Sequence, residues 1–272
     1  MSEEKEDVIA EACARFQEEL ESCEEDLEFT QIWTDALEEL SEIEKAFGTN
    51  ELCGKTILDI GTYGIKPLYI ALKYKPKKII GINDGFPDSD AAKIEQKSKL
   101  FLETEIKFYE CSFFNDVKLK EILNKEILNK KNPKFDFVLV SKTLHHLRSG
   151  ACFAERRDPG HCCKEDEKCC IYKFDEQEIF ERLLCLGKRL IVYEWFDSGA
   201  EDNDKVRGRG RYFTTNEWKQ IFGFLEKSEK YRVKLIQPSR LHLDKEGLRE
   251  MDTILRQVDT LCFYVDLVEE EK

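Results

Sequence analysis

The sequence of 272 residues has no apolar run that approaches the ~20 residues a membrane-spanning helix requires. Its first residues, MSEEKEDV, also lack the basic-then-apolar order of a secretory signal peptide. With 41% hydrophobic and 36% charged residues, the composition is typical of a globular protein. We therefore expect a cytoplasmic protein with no membrane partner, built as one α/β domain with additions rather than as two domains.

The net charge of −13 is unevenly distributed. Residues 1–51 hold 18 acidic and 3 basic side chains, a balance of −15, whereas residues 52–272 hold 38 acidic and 40 basic side chains, a balance of +2. The acidity therefore belongs to the N-terminal segment, and it does not argue against an anionic substrate for the rest of the chain.

The acidic segment shows apolar residues at intervals of three and four, which predicts two amphipathic helices within residues 5–47. We predict that residues 1–51 form an acidic helical cap on the domain that follows, which spans residues 52–272. The cap is expected to cover one edge of that domain, and a lid over a substrate is the alternative.

Residues 56–72, TILDIGTYGIKPLYIAL, predict a strand, a glycine turn and a helix. The β-branched run before Gly61 favours a strand buried on both faces, and Pro67 suits the first turn of a helix. Free backbone N–H groups and the positive end of the helix dipole then meet whatever ligand lies over the strand end. Asp59, just before the glycines, would repel a pyrophosphate and suits a ligand with a cationic or hydrogen-bond-donating part.

Polar residues follow the next two predicted strands as well. The strand at 78–82 ends at Asn83 and Asp84, about 20 residues past the glycine turn, where a nucleoside ribose is held in sheets of this kind. Either residue can face the ribose, and a turn capped by Asp84 is the structural alternative. The strand at 106–109 is followed by Cys111 and Ser112.

Residues 135–147, FDFVLVSKTLHHL, predict a central strand at 135–140 that ends at the ligand crevice. His145 and His146 follow, and either one can take a proton from a substrate hydroxyl or amine, with helix packing as the alternative role. A helix at 174–186, closed by Gly187, then precedes a fifth strand at 189–193. Glu194 follows this strand and can bind a cationic group or act as a base.

The stretch around Asp59 and the sequence FDFVLVSKTLHHL resemble the first and fourth motifs of class I S-adenosylmethionine-dependent methyltransferases. The resemblance covers roughly residues 52–268. It implies an α/β fold with a seven-stranded, mostly parallel, doubly wound sheet in the order 3-2-1-4-5-7-6, the last strand being antiparallel. It also implies S-adenosyl-L-methionine as the cofactor, lying across the carboxyl ends of strands 1, 2 and 4.

Carried onto this sequence, the resemblance implies residue roles. The implied cofactor-binding residues are Asp59, Gly61, Gly64, Asn83, Asp84, Cys111, Ser112 and Ser141. His145, His146 and Glu194 are the implied catalytic candidates. The sequence departs from the family at Tyr63 and Ile65, where glycines are usual, and at Cys111 and Ser112, where an acidic residue usually reads the adenine.

We expect methyl transfer to a small-molecule acceptor, with RNA or protein acceptors as alternatives. Two further hypotheses are a non-catalytic binding module with this fold and a nicotinamide-dependent dehydrogenase. The dehydrogenase is disfavoured because Asp59 precedes the turn and because no G-x-G-x-x-G is present. The sequence does not fix the oligomeric state.

Residues 148–173 form a cysteine-rich insertion that departs from the family. It contains five of the 11 cysteines of the chain, which are Cys152, Cys162, Cys163, Cys169 and Cys170. Their CC-x5-CC spacing differs from the separated CxxC pairs of zinc sites, and we assign no metal. Disulfides, free thiols and a metal site all remain open readings of this segment.

Overall fold

The computed structural model describes residues 43–45, 51–62, 65–83, 95, 103–127, 134–144, 147, 176–195, 213, 215–237 and 260–268. In chain order its elements are β1 (Thr56–Ile60), α1 (Ile65–Tyr74), β2 (Lys78–Asn83), β3 (Glu105–Glu110), α2 (Asp116–Glu126), β4 (Phe135–Ser141), α3 (Glu176–Leu186), β5 (Gly187–Trp195), α4 (Thr215–Lys227), β6 (Tyr231–Gln237) and β7 (Thr260–Leu267).

The strands form one seven-stranded sheet in the order β3-β2-β1-β4-β5-β7-β6. Strands β1 to β5 pair in parallel. Strand β7 lies between β5 and β6 and is antiparallel to both. The fold class and the strand order predicted from the sequence are therefore confirmed.

The central strands are the most apolar because helices cover both faces of the sheet. One face packs against α2, α3 and α4, and we call it the α4 side. The other face packs against α1, and we call it the α1 side. Side chains alternate between the two sides along each strand, so that Leu58 and Ile60 face α4 whereas Ile57 faces α1. The result is a three-layer α/β/α domain.

Part of the acidic N-terminal segment is attached to α1. Ile43 is fully buried on the α1 side. The Glu44 carboxylate accepts a hydrogen bond from the Tyr69 hydroxyl over 3.0 Å and a further one from the Lys73 ammonium. Apart from 43–45 and residue 51, the segment lies outside the described residues, so the helical cap over residues 1–51 stays a prediction.

A charged cluster fastens the β2–β3 edge to the end of α2. The buried Glu126 carboxylate accepts hydrogen bonds from Lys78 over 2.8 Å, from Lys107 over 3.1 Å and from the Tyr109 hydroxyl. Burial raises the pKa of Glu126, but these donors outweigh burial and lower the pKa to about 2. The same carboxylate and burial raise the pKa of Tyr109. Glu126 is therefore ionised at neutral pH and holds two strands to one helix.

One predicted boundary is wrong. The helix ends at Leu186, as predicted, but β5 begins at Gly187 rather than at Arg189, and Gly187 pairs with Phe135. A Cβ added at Gly187 would lie 2.5 Å from Val138 Cγ2, so the glycine is needed for close packing against β4. Among the described helices, none is both long and apolar enough to cross a membrane.

Candidate functional site

The carboxyl ends of β1, β2, β4 and β5 meet at one edge of the sheet because these strands are parallel, and we call the region over this edge the crevice. Successive strands are added to one side of β1 up to β3 and to its other side from β4 onward. The point at which this order reverses lies between β1 and β4. Ligands of open α/β sheets bind at such a switch point. Most of the residues proposed from the sequence lie at this edge.

The turn after β1 is attached to the end of β2. Gly61 has a φ of +71°, which a glycine adopts without steric penalty. Its N–H donates to the carbonyl oxygen of Ile82 over 2.8 Å. The Asn83 side-chain amide donates to the carbonyl oxygen of Thr62 over 3.3 Å. Asn83 and the glycine turn, both predicted at the cofactor site, are therefore brought together.

Thr143, which follows β4, lies against Gly61. A Cβ added at Gly61 would be 2.1 Å from Thr143 Cγ2 and 2.2 Å from its Oγ1. The Thr143 hydroxyl donates to the carbonyl oxygen of Ser141 over 2.8 Å and lies 3.4 Å from the carbonyl oxygen of Gly61. The resemblance implied Gly61 as a cofactor-binding residue, and in the structure Thr143 occupies the space next to it. Gly61 instead joins the turn of β1 to the turn of β4.

Asp59 is fully enclosed. Its residue is 0% exposed, and alternation along β1 places it on the same side as Ile57, facing α1. Across the sheet it stands in register with Gly81. The sequence predicted a carboxylate that faces the ligand, whereas the structure places this carboxylate beneath the turn and out of contact with solvent. Its carboxyl group still belongs to the strand that leads into the glycine turn.

Gly81 makes room for Thr62 beneath the turn. A Cβ added at Gly81 would lie 2.5 Å from Thr62 Cγ2 and 2.6 Å from Phe108 Cδ1. Thr62 is therefore buried, and its Oγ1 has no hydrogen-bond partner within the part of the chain that the structure describes. Burying a hydroxyl without a partner costs about 1–3 kcal/mol. A ligand could bond to this hydroxyl only after the groups that enclose it had moved apart.

Cys111 and Ser112 lie beyond the end of β3. The Cys111 N–H donates to the carbonyl oxygen of Asn83 over 2.8 Å, and its buried thiol donates to the carbonyl oxygen of Ser112 over 3.3 Å. The Ser112 hydroxyl accepts a hydrogen bond from the Phe114 N–H over 3.4 Å. Both residues therefore shape the chain between β3 and α2, next to Asn83. Their predicted contact with an adenine stays a prediction.

The carboxyl ends of β4 and β5 are joined through Lys142. Lys142 has a φ of +49°, and its N–H donates to the carbonyl oxygen of Tyr193 over 2.7 Å. Its half-buried side chain places the ammonium 5.9 Å from the centroid of the Tyr193 ring. Ser141, a predicted cofactor contact, is buried directly before it at the end of β4. Lys142 thus lies on the β5 side of the crevice.

Glu194 follows Tyr193 in β5 and is 0% exposed. Alternation along β5 places it on the same side as Val192, facing α4, and it stands in register with Leu261. The sequence predicted a side chain that emerges at the crevice, but the structure buries Glu194 in the α4 side. Direct contact with an acceptor would require the residues over it to move.

Four of the predicted site residues, Gly64, Asp84, His145 and His146, lie outside the described residues, as does the cysteine-rich insertion. Among the described cysteines, Cys53 and Cys185 are exposed, Cys111 and Cys262 are buried, and none of the four forms a disulfide. No group of three or more side chains suited to a metal ion occurs within the described ranges. The readings of the insertion therefore stay as the sequence left them.

Sequence reasoning missed Thr143, Lys142 and Gly81 as parts of the site. Gly81 did carry a signal, since a glycine inside the apolar run KIIGI indicates close approach of another group. The contact between Thr143 and Gly61 spans 82 positions of the chain, and no local pattern announces it.

Comparison with known proteins shows which solved structures share this fold. No family model matches the chain, and no curated protein matches it. The structure is similar to a cyclopropane-fatty-acyl-phospholipid synthase-like protein from Lactobacillus casei, with a TM-score of 0.51 and 12% identity, over 89% of this chain and 94% of that one. A SAM dependent methyltransferase from Aquifex aeolicus gives a TM-score of 0.42 and 17% identity, over 84% of this chain and 89% of that one.

A third similar structure is a magnesium protoporphyrin IX methyltransferase from Synechocystis with bound S-adenosylhomocysteine (SAH), with a TM-score of 0.45 and 11% identity, over 90% of each chain. At these identities the likeness concerns the fold alone. The chain has the fold of the class I S-adenosylmethionine-dependent methyltransferases, as its motifs predicted.

Proposed function

We propose that this chain, whose fold is that of class I methyltransferases, is an S-adenosylmethionine-dependent methyltransferase that acts on a small molecule. The observation that carries the proposal is the crevice between β1 and β4, in a sheet with this strand order and an antiparallel β7. The polar groups of Thr62, Asn83 and Ser141 come from three neighbouring strand ends at that crevice.

The groups at the β1–β2 side fit a sulfonium nucleoside. The hydroxyl of Thr62, which has no partner among the described residues, can bond to a ligand if the groups that enclose it move apart. The Asp59 carboxyl group lies in β1 just before the same turn, and in its ionised form it would favour a ligand with a positive charge and disfavour a pyrophosphate. Asn83, which is fixed by its bond to Thr62, stands where the ribose of such a ligand would lie.

The N–H of Gly61 is already bonded to Ile82, so contacts with the methionine end would come from other groups of the turn, including those of Gly64. Gly61 then acts as a positioning residue that fixes the two turns. S-adenosylmethionine supplies the electrophilic methyl group and its own leaving group. The chain has to align the acceptor with that methyl group and accept the acceptor's proton. For the proton we propose His145 or His146, which follow β4 in the sequence.

A specific observation favours one second candidate, a non-catalytic binding module. Thr143 occupies the room next to Gly61, and Asp59 is enclosed, so the site as described is tighter than the sequence predicted. A module that has lost catalysis would tolerate such filling. A methyltransferase would require the Thr143 turn to adjust when the cofactor binds.

Calorimetric titration of the full chain with SAH and, separately, with NAD distinguishes these candidates from the dehydrogenase. We expect binding of SAH and none of NAD. Asp59→Asn is expected to weaken binding of sinefungin roughly 10- to 100-fold, since it removes the carboxylate proposed to attract a cation. Sinefungin carries an amine in place of the sulfonium group, whereas SAH has no charge at that position, so SAH is expected to lose less.

Asp116→Asn is the matched control, because Asp116 is an exposed carboxylate whose ionic partner is Arg182 of α3. Thermal melting of both variants establishes that each is folded. If neither SAH nor sinefungin binds to the wild type, the methyltransferase proposal is wrong. If they bind but no labelled methyl group passes from S-adenosylmethionine to any fraction of a cell extract, the binding module is the correct reading.

A further inference from the structure

Lys142 occupies the acceptor half of the crevice. The cofactor half is formed by β2, β1 and β4, and the remaining half by β4 and β5. Lys142 directly follows β4, and its N–H bond to Tyr193 ties it to β5. Its ammonium lies over the Tyr193 ring, which directs the side chain toward β5 and away from β1. With the cofactor over β1, β2 and β4, as the proposed function has it, the Lys142 ammonium would lie on the acceptor side of it.

The backbone of Lys142 is held in a conformation that lysine rarely adopts. Its φ of +49° lies in the left-handed region, where glycine and asparagine fit with less strain. Such strain persists where the surrounding structure fixes it, and it is common at functional sites. Here the bond to Tyr193 and the packing of Thr143 on Gly61 fix the residue from both sides. Lys75 has a similar φ of +48° at an exposed site, so the strain by itself does not distinguish Lys142; its place between the ends of β4 and β5 is what indicates a task for the side chain.

The chemistry of the side chain indicates what that task is. An ammonium has three N–H donors and can bind an oxyanion together with the other contacts that it makes. Partial burial strengthens its attraction for a negative charge, because less water screens the pair. Glu194, the next charged residue along β5, faces the opposite side of the sheet.

We propose that Lys142 binds an anionic group, a carboxylate or a phosphate, of the methyl acceptor. The inference rests on the proposed function and names its substrate class, a small molecule with an oxyanion. Lys142 takes no part in bond making; it holds the acceptor so that the nucleophilic atom lies against the methyl group. The near-neutral balance of residues 52–272 is compatible with such a substrate.

The test separates a small-molecule cell extract on an anion exchanger into a bound, anionic pool and an unbound pool. Each pool is incubated with the full chain and S-adenosylmethionine labelled in its methyl group. We expect label in products from the anionic pool. Phosphatase treatment of that pool distinguishes the sources, since it abolishes acceptance if the anion is a phosphate and leaves it unchanged if the anion is a carboxylate.

Variants assign the effect to the side chain. Lys142→Gln is expected to raise KM for the acceptor roughly 10- to 100-fold with little change in kcat, because it removes a charged contact made equally in the ground and transition states. Lys142→Arg is expected to recover most of the affinity. Lys75→Gln is the matched control. Lys75 also has a positive φ, +48°, but it follows the end of α1 and is exposed, so the KM and kcat of this variant are expected to equal those of the wild type.

Label in products of the unbound pool overturns the inference, as does a Lys142→Gln variant that keeps the wild-type KM. Transfer to neither pool, with SAH bound, also overturns it, because no small anionic acceptor is then present. Absence of SAH binding is a separate result and counts against the proposed function itself. The SAH affinity of folded Lys142→Gln is expected to equal that of the wild type, which shows that the cofactor half is intact.

Discussion

Replacing Gly61 with alanine tests the contact between the turns of β1 and β4. Alanine at a φ of +71° is strained by about 1–2 kcal/mol. Its Cβ would also lie 2.1 Å from Thr143 Cγ2, and forcing atoms into an occupied space costs about 1–3 kcal/mol. Together these effects predict that Gly61→Ala lowers the free energy of unfolding by about 2–5 kcal/mol.

Gly54 separates the two effects. It has the same φ of +71°, but an added Cβ would meet nothing within 4 Å. Gly54→Ala should therefore lower the free energy of unfolding by the backbone part alone, about 1–2 kcal/mol. In a Thr143→Ala background the two closest atoms next to Gly61 are gone, so Gly61→Ala should then cost about 1–2 kcal/mol less than in the wild type.

Urea unfolding followed by far-UV circular dichroism gives these free energies, and SAH titration gives the effect on binding. Gly61→Ala is expected to weaken SAH binding more than Gly54→Ala does, because only Gly61 lies at the crevice. Equal losses of stability for Gly61→Ala and Gly54→Ala would refute the close packing of Thr143. A Thr143→Ala background that leaves the Gly61→Ala loss unchanged would refute it as well.

Two further predictions concern stability. Glu126 has a pKa of about 2 in the folded protein, below its ordinary value of 4.5, so its contribution is present above pH 4.5 and is lost as the pH falls toward 2. Glu126→Gln should lower the free energy of unfolding at pH 7 by at most about 3 kcal/mol and make it depend less on pH below 4.5. Urea unfolding between pH 7 and pH 3 measures both effects. An unchanged dependence on pH would contradict the pairing with Lys78. Gly223 lies inside α4 with nothing within 4 Å of an added Cβ, so Gly223→Ala should raise the free energy of unfolding by about 0.5–1 kcal/mol, and a loss would mean that this space is occupied.

The sheet could be predicted from the sequence because its strands carry strong local signals. The β-branched run of β1 and the run FDFVLV of β4 are buried on both faces, which only a central parallel strand provides. Their predicted bounds differ from the observed ones by one residue at most. The start of β5 was predicted two residues too late, because a glycine after a helical pattern indicates a helix end, and the packing of Gly187 against Val138 is not visible in the sequence.

The positions of site residues along the chain were easier to predict than the directions of their side chains. Asp59, Asn83 and Ser141 were expected at strand ends and are found there. Asp59 and Glu194 were expected to reach the crevice, but both are enclosed by the helical layers. A period of two along a strand assigns each side chain to a face of the sheet, but it does not tell how far the helices extend over the strand end.

The direct junction between α3 and β5 limits how this protein can move. Leu186 ends the helix and Gly187 begins the strand, with no connecting residue between them. A rotation of α3 would therefore pull on β5, which is paired with both β4 and β7. The junction lies at the amino end of β5, so α3 and β5 are expected to move together at the edge of the sheet opposite the crevice.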